Sequence, residues 1–356
     1  MRNRCVLGSI RSARVPLVAM AALAIMLTVC LSGSAGAGTT LKPISIKASV
    51  IGSPIPIFSS LYVNVAQQEG FFKKLGLNVS VRYYGRGTDV ARTVVAGDAT
   101  IAMTATPAVL AVIAGGAPVV AVGGMQNQDF FVASSVPGVS GCRSLKGQSI
   151  AADGIGNARY IYLKSYLATC GLSMSDIDAT NLANSQLVQA AAAGVVKTAV
   201  FHIDELAQVK YQKPSTKWIS MPTPPALEKQ LHYTMLLARR STLQSENGRQ
   251  AVVRYLAAFI LAEKWMSNPA NLDAFAQLAA KATGDNPTVA KDAIEQFNHI
   301  GYWSSGMGMA KSAVDSEISL LVANGVIKES QAPSYDKAVD TSIYPQALKL
   351  ADAVSH

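Results

Sequence analysis

The stretch Glu69–Val81, EGFFKKLGLNVSV, holds the end of one element and the beginning of the next. Phe71 and Phe72 are placed to seat a helix end against a sheet. Two lysines and a Gly-Leu pair follow them. A glycine at this point supplies the left-handed residue with which many helices stop, and Gly76 is expected to fill that role. Leu77 and Val79 then start a strand. The stretch is one helix-to-strand step of a β/α repeat, and its purpose is structural.

The same alternation continues on both sides of it. ISIKASV (Ile44–Val50) alternates apolar and polar residues, as a strand does. A helix is expected from about Phe58 to Leu75, then the strand LNVSVRYY. Thr88 can cap a helix that ends at Gly97. TIAMT, a helix over Pro107–Ala114 and PVVAVGGM complete a βαβαβαβ series, hence a mainly parallel sheet with helices on both faces. After NQDFFVASS a second series begins. Its strands are Gln148–Ala152, DATNL, TAVFH and KWISM, and its helices are Asn157–Cys170, SQLVQAAAAG and one from near Asp204. MPTPP (Met221–Pro225) marks a crossing. HYTMLLA is a further strand, and beyond it the chain reads as helices, the longest over Asn247–Ser267. The expected fold class is therefore α/β. Two β/α lobes are joined by crossovers with a cleft between them, and the C-terminal part is helical. The boundaries are a leader at 1–37, the first lobe at 38–127, the second lobe at 128–225, and a return to the first lobe at 226–356.

Arg2, Arg4, Arg11 and Arg14 precede the apolar run Val15–Leu31, and Ala35-Gly36-Ala37 follows it. This is the layout of a secretory signal peptide, and cleavage after Ala37 is expected. An uncleaved membrane anchor is one alternative. A lipid-modified Cys30 in LTVC is another, with Val29 where such boxes carry a small residue. Removing the leader leaves 27 basic residues against 22 acidic ones, not gathered in runs. That balance does not argue for nucleic acid, and it weakly suits an anionic ligand. Of the 4 cysteines, Cys142 and Cys170 remain. In an oxidising compartment they are expected to form a disulfide. Two separate buried thiols are the alternative. A pair so spaced makes no zinc site, and no cofactor or metal motif is visible.

The motifs taken in order carry a resemblance. VAQQEGFFKKLGLNVSV resembles the pattern A.e.GyFkk.GL.V.v of the ABC-transporter solute-binding proteins of the nitrate/sulfonate/taurine type, whose fold is shared with thiamine-pyrimidine synthases. AGDATIAM is similar to sGqvDia, with Thr100 in place of the usual aspartate. GGAPVVAV resembles GaplkiVa. SLKGQSIAADGIGN resembles dLkGKkvav..Gs. AAGVVKTAVF resembles laaGqvDAav, with Lys197 where an aspartate is usual, and SYDKAVDTSIY resembles the closing segment. The resemblance spans nearly the whole exported chain. It implies the type II periplasmic-binding-protein fold and a periplasmic, monomeric protein that captures a small anionic organic solute, such as a sulfonate or carboxylate, in the interlobe cleft by hinge closure. It also implies delivery to a membrane permease with its ATPase, and no catalysis. A cofactor-biosynthesis enzyme on the same fold, like a pyrimidine synthase, is the alternative. The leader and the lack of a cysteine cluster speak against it.

Ligands of open parallel sheets bind beyond the carboxyl ends of the strands. The residues at those positions are Ser53, Arg86, Thr104, Thr106, Gln126, Gly156, Asn157, Arg159 and His202. DGIGNAR is the sharpest of these segments. Asn157 can cap a helix whose free N–H groups attract an anion, and Arg159 in its first turn could clamp a carboxylate or sulfonate. Arg159 and Arg86 could equally be surface arginines, and His202 a satisfied structural histidine. Asp204 is expected to cap the next helix. Tyr302 and Trp303 would close over an aromatic ligand or, more simply, pack in the core.

Overall fold

Gly76 has φ 65°, and a Cβ on it would lie 2.9 Å from the carbonyl oxygen of Leu41. Only glycine fits this turn without strain. The computed structural model describes residues 41–52, 57–126, 131–223, 227, 232–303 and 306–355, with backbone alone at 184–185. The leader, Ser53 and Asn127 lie outside these residues.

The first series is β1 (Ile44–Ile51), α1 (Leu61–Gln68), α2 (Phe71–Lys74), β2 (Leu77–Tyr84), α3 (Gly87–Ala96), β3 (Ile101–Ala105), α4 (Thr106–Ala114) and β4 (Val119–Met125). The second is β5 (Phe131–Ser135), β6 (Ser149–Ala152), α5 (Ala158–Ala168), β7 (Asp178–Asn181), α6 (Asn184–Ala192), β8 (Thr198–His202), α7 (Ile203–Gln212) and β9 (Ile219–Ser220). The chain then forms β10 (Thr234–Arg239), α8 (Arg240–Gln244), α9 (Glu246–Met266), α10 (Leu272–Thr283), α11 (Pro287–His299), α12 (Lys311–Ala323), α13 (Tyr335–Ala338) and α14 (Ile343–Val354).

Two sheets result, ordered β2-β1-β3-β10-β4 and β7-β6-β8-β5-β9. This is the periplasmic-binding-protein fold. Neither sheet is wholly parallel. β10 runs antiparallel to both β3 and β4, and β5 runs antiparallel to β8 and β9. The reason lies in the crossovers. β4 ends at the cleft, so the chain enters the second sheet from the cleft side, and its first strand there must run away from the cleft. β10 enters the first sheet by the same route.

The helix expected over Phe58–Leu75 is broken into α1 and α2 at Gly70, which has φ 71°. Phe72 packs in the core shared by Ile46 and Leu77 of the first sheet and by α9. Its ring stacks on Tyr255 at 5.3 Å and meets Phe259 at 6.4 Å, both on α9. Most of α9 is buried, including Tyr255, Leu256, Ala257, Ala258 and Phe259 in succession. A helix apolar all round belongs in a core, and each buried phenylalanine there contributes about 1.5–3 kcal/mol. Tyr302 and Trp303 join this core. Trp303 packs edge-on against Tyr62, Phe275 and Phe297, which settles their alternative readings in favour of packing.

One acid is caught in this core. Glu263 of α9 accepts the Gly306 N–H through Oε1 at 2.8 Å, and its Oε2 has no hydrogen-bond partner among the described residues. Burial pushes its carboxyl up to about 7, although the Gly306 N–H and Lys264 act against this. The folded state therefore holds this proton more tightly than the unfolded chain does. Stability from this group is full below the ordinary value of 4.5 and is lost as pH rises through about 7. Glu263→Gln should leave urea stability nearly unchanged at pH 4 and raise it by about 2–3 kcal/mol at pH 8. Equal stability of the two proteins at both pH values would refute this.

Candidate functional site

The carboxyl ends of the strands in both sheets meet at one small cavity. From the first lobe Gly85, Arg86 and Gly87 follow β2, Ala105 ends β3, and Tyr233 precedes β10. From the second lobe come Phe131, Asp153, Gly154, Asn157, Ala158 and Arg159, with Asn181, Leu182 and Ala183 after β7. The space open to the centre of a water-sized sphere is about 30 Å³. A wider groove of about 970 Å³ lies at the other end of the first sheet. It is walled by strand beginnings and by Lys47, Lys73 and Arg239, away from the cleft.

The flanks of the cleft are bridged. On one side Asn324, after α12, donates to Ser165 Oγ of α5 at 3.1 Å. On the other, Asn286 donates to Tyr211 OH of α7 at 3.0 Å, and Gln208 donates to Asp285.

Arg159 does not offer its charge to the cleft. It is 2% exposed, and its guanidinium forms a fork with Glu205, with Nη1–Oε2 at 2.9 Å and Nη2–Oε1 at 2.8 Å. Nη1 also donates to the Val200 carbonyl at 2.7 Å. The guanidinium lies 5.5 Å from the centre of the Phe131 ring. Glu205 is the third residue of α7 and accepts the backbone N–H of His202 at 2.8 Å, which makes a capping box. Burial pushes the Glu205 carboxyl up, but Arg159 and His202 outweigh it and hold the group below its ordinary value. Desolvation pulls Arg159 down, and Glu205 more than reverses this. The anion clamp expected of Arg159 is thus an internal ion pair.

The start of α5 is occupied as well. Asn157 has the extended backbone of an N-cap, but its side chain caps nothing. Its Nδ2 donates instead to the Gly154 carbonyl at 3.1 Å. The capping atom is Asp153 Oδ1, which accepts the Tyr160 N–H at 2.7 Å. Burial pushes the Asp153 carboxyl up to about 6, opposed by the Arg159 charge and by the Tyr160 and Arg159 N–H groups. Two of the N–H groups expected to be free for a ligand anion, those of Arg159 and Tyr160, are held by the chain's own carboxylate. Gly156, with φ 86°, makes the turn before the helix.

The other positions divide. Gln126 is buried, donates through Nε2 to Ser59 O at 2.9 Å and accepts from the Thr234 hydroxyl. Thr106 donates to the His232 carbonyl. His202 Nε2 and Tyr233 OH lie 2.7 Å apart, a bond from the second lobe to the residue before β10. His202, not Asp204, holds the cap position of α7. These side chains are engaged in hydrogen bonds within the fold. Thr104 differs: its hydroxyl is fully buried and has no hydrogen-bond partner among the described residues. It lies 2.7 Å from where a Cβ on Gly87 would sit, and Asn157 Oδ1 lies 3.7 Å from the same point. Gly87 is therefore a place where the lobes approach closely, and its missing side chain leaves room for Thr104 and Asn157. Arg86 lines the cavity and is exposed.

A family model described as NMT1/THI5-like matches residues 57–271. The chain belongs to the NMT1/THI5-like family. Solved structures agree on the fold. The alkanesulfonate-binding protein SsuA from Xanthomonas axonopodis pv. citri, bound to MOPS, superposes with a TM-score of 0.68 at 15% identity, over 83% of this chain and 98% of its own. The periplasmic nitrate-binding protein NrtA from Synechocystis PCC 6803 gives 0.70 at 14% identity, over 86% and 89%. The periplasmic aliphatic sulphonate-binding protein SsuA from Escherichia coli gives 0.64 at 14% identity, over 84% and 92%. A comparison with curated proteins found no match. Among the described residues no helix is long and apolar enough to cross a membrane.

Proposed function

We propose that this NMT1/THI5-like protein is the extracytoplasmic solute-binding component of an ABC importer. In this reading it is exported by its leader, cleaved after Ala37, and works as a periplasmic monomer. Its lobes, 38–127 with 226–356 and 128–225, close over a small solute and present it to a permease and its ATPase. The observation that carries the reading is a cavity walled by strand ends of both sheets. Two walls that meet over a solute turn the solute's preference for the closed form into affinity. No bond need be made or broken. A bound solute should therefore be recovered unchanged, whereas an enzyme on this fold would convert it.

Thermal-shift screening of small organic solutes tests the proposal. A solute at 100 times its dissociation constant should stabilise the fold by about 2.7 kcal/mol. Asn157→Leu, which alters the cavity wall from the second lobe, should weaken the same solute at least about tenfold in calorimetry. A solute bound equally well by this variant, or one consumed on incubation, would rule the proposal out.

A further inference from the structure

We infer that the solute accepted by this cleft presents a hydrogen-bond donor (an amine, an amidinium or an N–H edge) to Asp153, in place of the sulfonate or carboxylate that a basic loop would attract. The inference rests on the cleft-binding reading above and names the class of its ligand.

Two features would make the second lobe an anion site, and each is already satisfied by an acid of the chain. The start of α5 holds the Asp153 carboxylate on the Tyr160 N–H. The Arg159 fork is closed on Glu205. An incoming anion placed against Asp153 would meet a like charge, which repels it; of the two arginines in the cavity wall, Arg159 is paired to Glu205 and Arg86 stands on the first-lobe side. Asp153 itself stands in the cavity wall and is partly exposed. An ionised carboxylate has about four acceptor positions, so the helix end does not exhaust it. Burial pushes this carboxyl upward, a penalty that a donor or cation from the solute would relieve.

The rest of the wall matches. Asn157 spends its Nδ2 on Gly154, and its carbonyl Oδ1 is the atom that lies near Gly87 of the facing lobe. The buried Thr104 hydroxyl lies under the same glycine and can accept or donate. Phe131 and Tyr233 add aromatic surface, which favours flat or cationic groups. Arg86 is the exception. It is exposed at the first-lobe wall, where water already solvates its charge.

The test uses paired probes that differ only in the polar end: ethylamine, acetamidine and acetamide against acetate and methanesulfonate, and benzylamine and benzamidine against benzoate and benzenesulfonate. Each is added at up to about 10 mM to the full exported chain, and binding is read by thermal shift and calorimetry. At least one amine, amidine or amide should stabilise the wild type, and the acids should not. Asp153→Asn should weaken that probe about 10- to 100-fold. Asp153→Ser keeps a capping side chain for α5 and should give the same loss, so a folding defect in one variant does not decide the result. An acid that stabilises the wild type would overturn the ligand class and leave the cleft reading standing. A probe bound equally by both Asp153 variants would overturn it, as would silence from every amine, amidine and amide. Binding that ignores Asn157→Leu would remove the cleft reading itself.

Discussion

Arg159→Ala is expected to lower the free energy of unfolding by about 3–5 kcal/mol, the range for breaking a buried ion pair by removing one partner. The variant strands Glu205, whose carboxylate is 9% exposed and would keep only the His202 N–H among its known partners. It also uncovers the Val200 carbonyl. Arg159→Lys should recover little, because an ammonium cannot span both carboxylate oxygens and the carbonyl as the planar fork does. Urea unfolding of the three proteins at pH 7 measures this. The double change Arg159→Met with Glu205→Leu should lose far less, since buried pairs replaced by apolar residues of similar volume are often near neutral. The pair should also weaken in acid. Glu205 is held below its ordinary value, so its contribution is complete above 4.5 and is lost as pH falls through the depressed value. An Arg159→Ala protein with an unchanged midpoint would show that the guanidinium is not bound to Glu205 in solution.

Removing the disulfide is the second large loss expected. Cys142 and Cys170 are bonded, with Cα atoms 6.0 Å apart and a sequence separation of 28. Closing a loop of this length restricts the unfolded chain by about 3.5 kcal/mol in the chain-entropy account. The bond ties Cys170, two residues past the end of α5, to Cys142 in the turn before β6, so both ends of the segment that carries Asp153 and Asn157 are held. Cys142→Ala with Cys170→Ala should unfold at correspondingly lower urea. Thiol labelling of unreduced, denatured protein should find no free group at either position, and two labelled thiols would disprove the bond.

Much of this architecture can be read locally. Gly76 announces its turn through the residues beside it, and the cysteine pair follows from number and compartment. The order of strands is carried by short apolar runs between glycines. What could not be read depends on distance along the chain. Arg159 and Glu205 are 46 residues apart. The first is an arginine in the first helical turn after a Gly-containing loop, a pattern shared by anion sites and by internal pairs, and nothing local tells them apart. A local clue to Glu205 did exist, because a carboxylate three residues into α7 after His202 is a capping pattern. Asp153 was hidden by Asn157, a better-known capping residue placed closer to the helix. The antiparallel sense of β5 and β10 depends on which end of each sheet the crossovers enter, and residue patterns do not carry that information. The break at Gly70 is a single left-handed residue within an otherwise helical pattern.

Gln126 gives the two crossovers a common mechanical fate. It stands at the end of β4 with φ 52°, the one non-glycine residue with positive φ among those described. Its carbonyl accepts the Tyr233 N–H at 2.9 Å, its side chain takes the Thr234 hydroxyl, and its amide reaches Ser59. The outgoing and returning strands are thus riveted together at the point where each leaves or enters the first lobe. Two separate straps would let the lobes shear, splay and twist. In the hinge closure proposed above, straps pinned at one rivet would leave mainly rotation about a single pivot, the walls swinging like the jaws of a pair of tongs with Gly87 and Asn157 on opposite jaws.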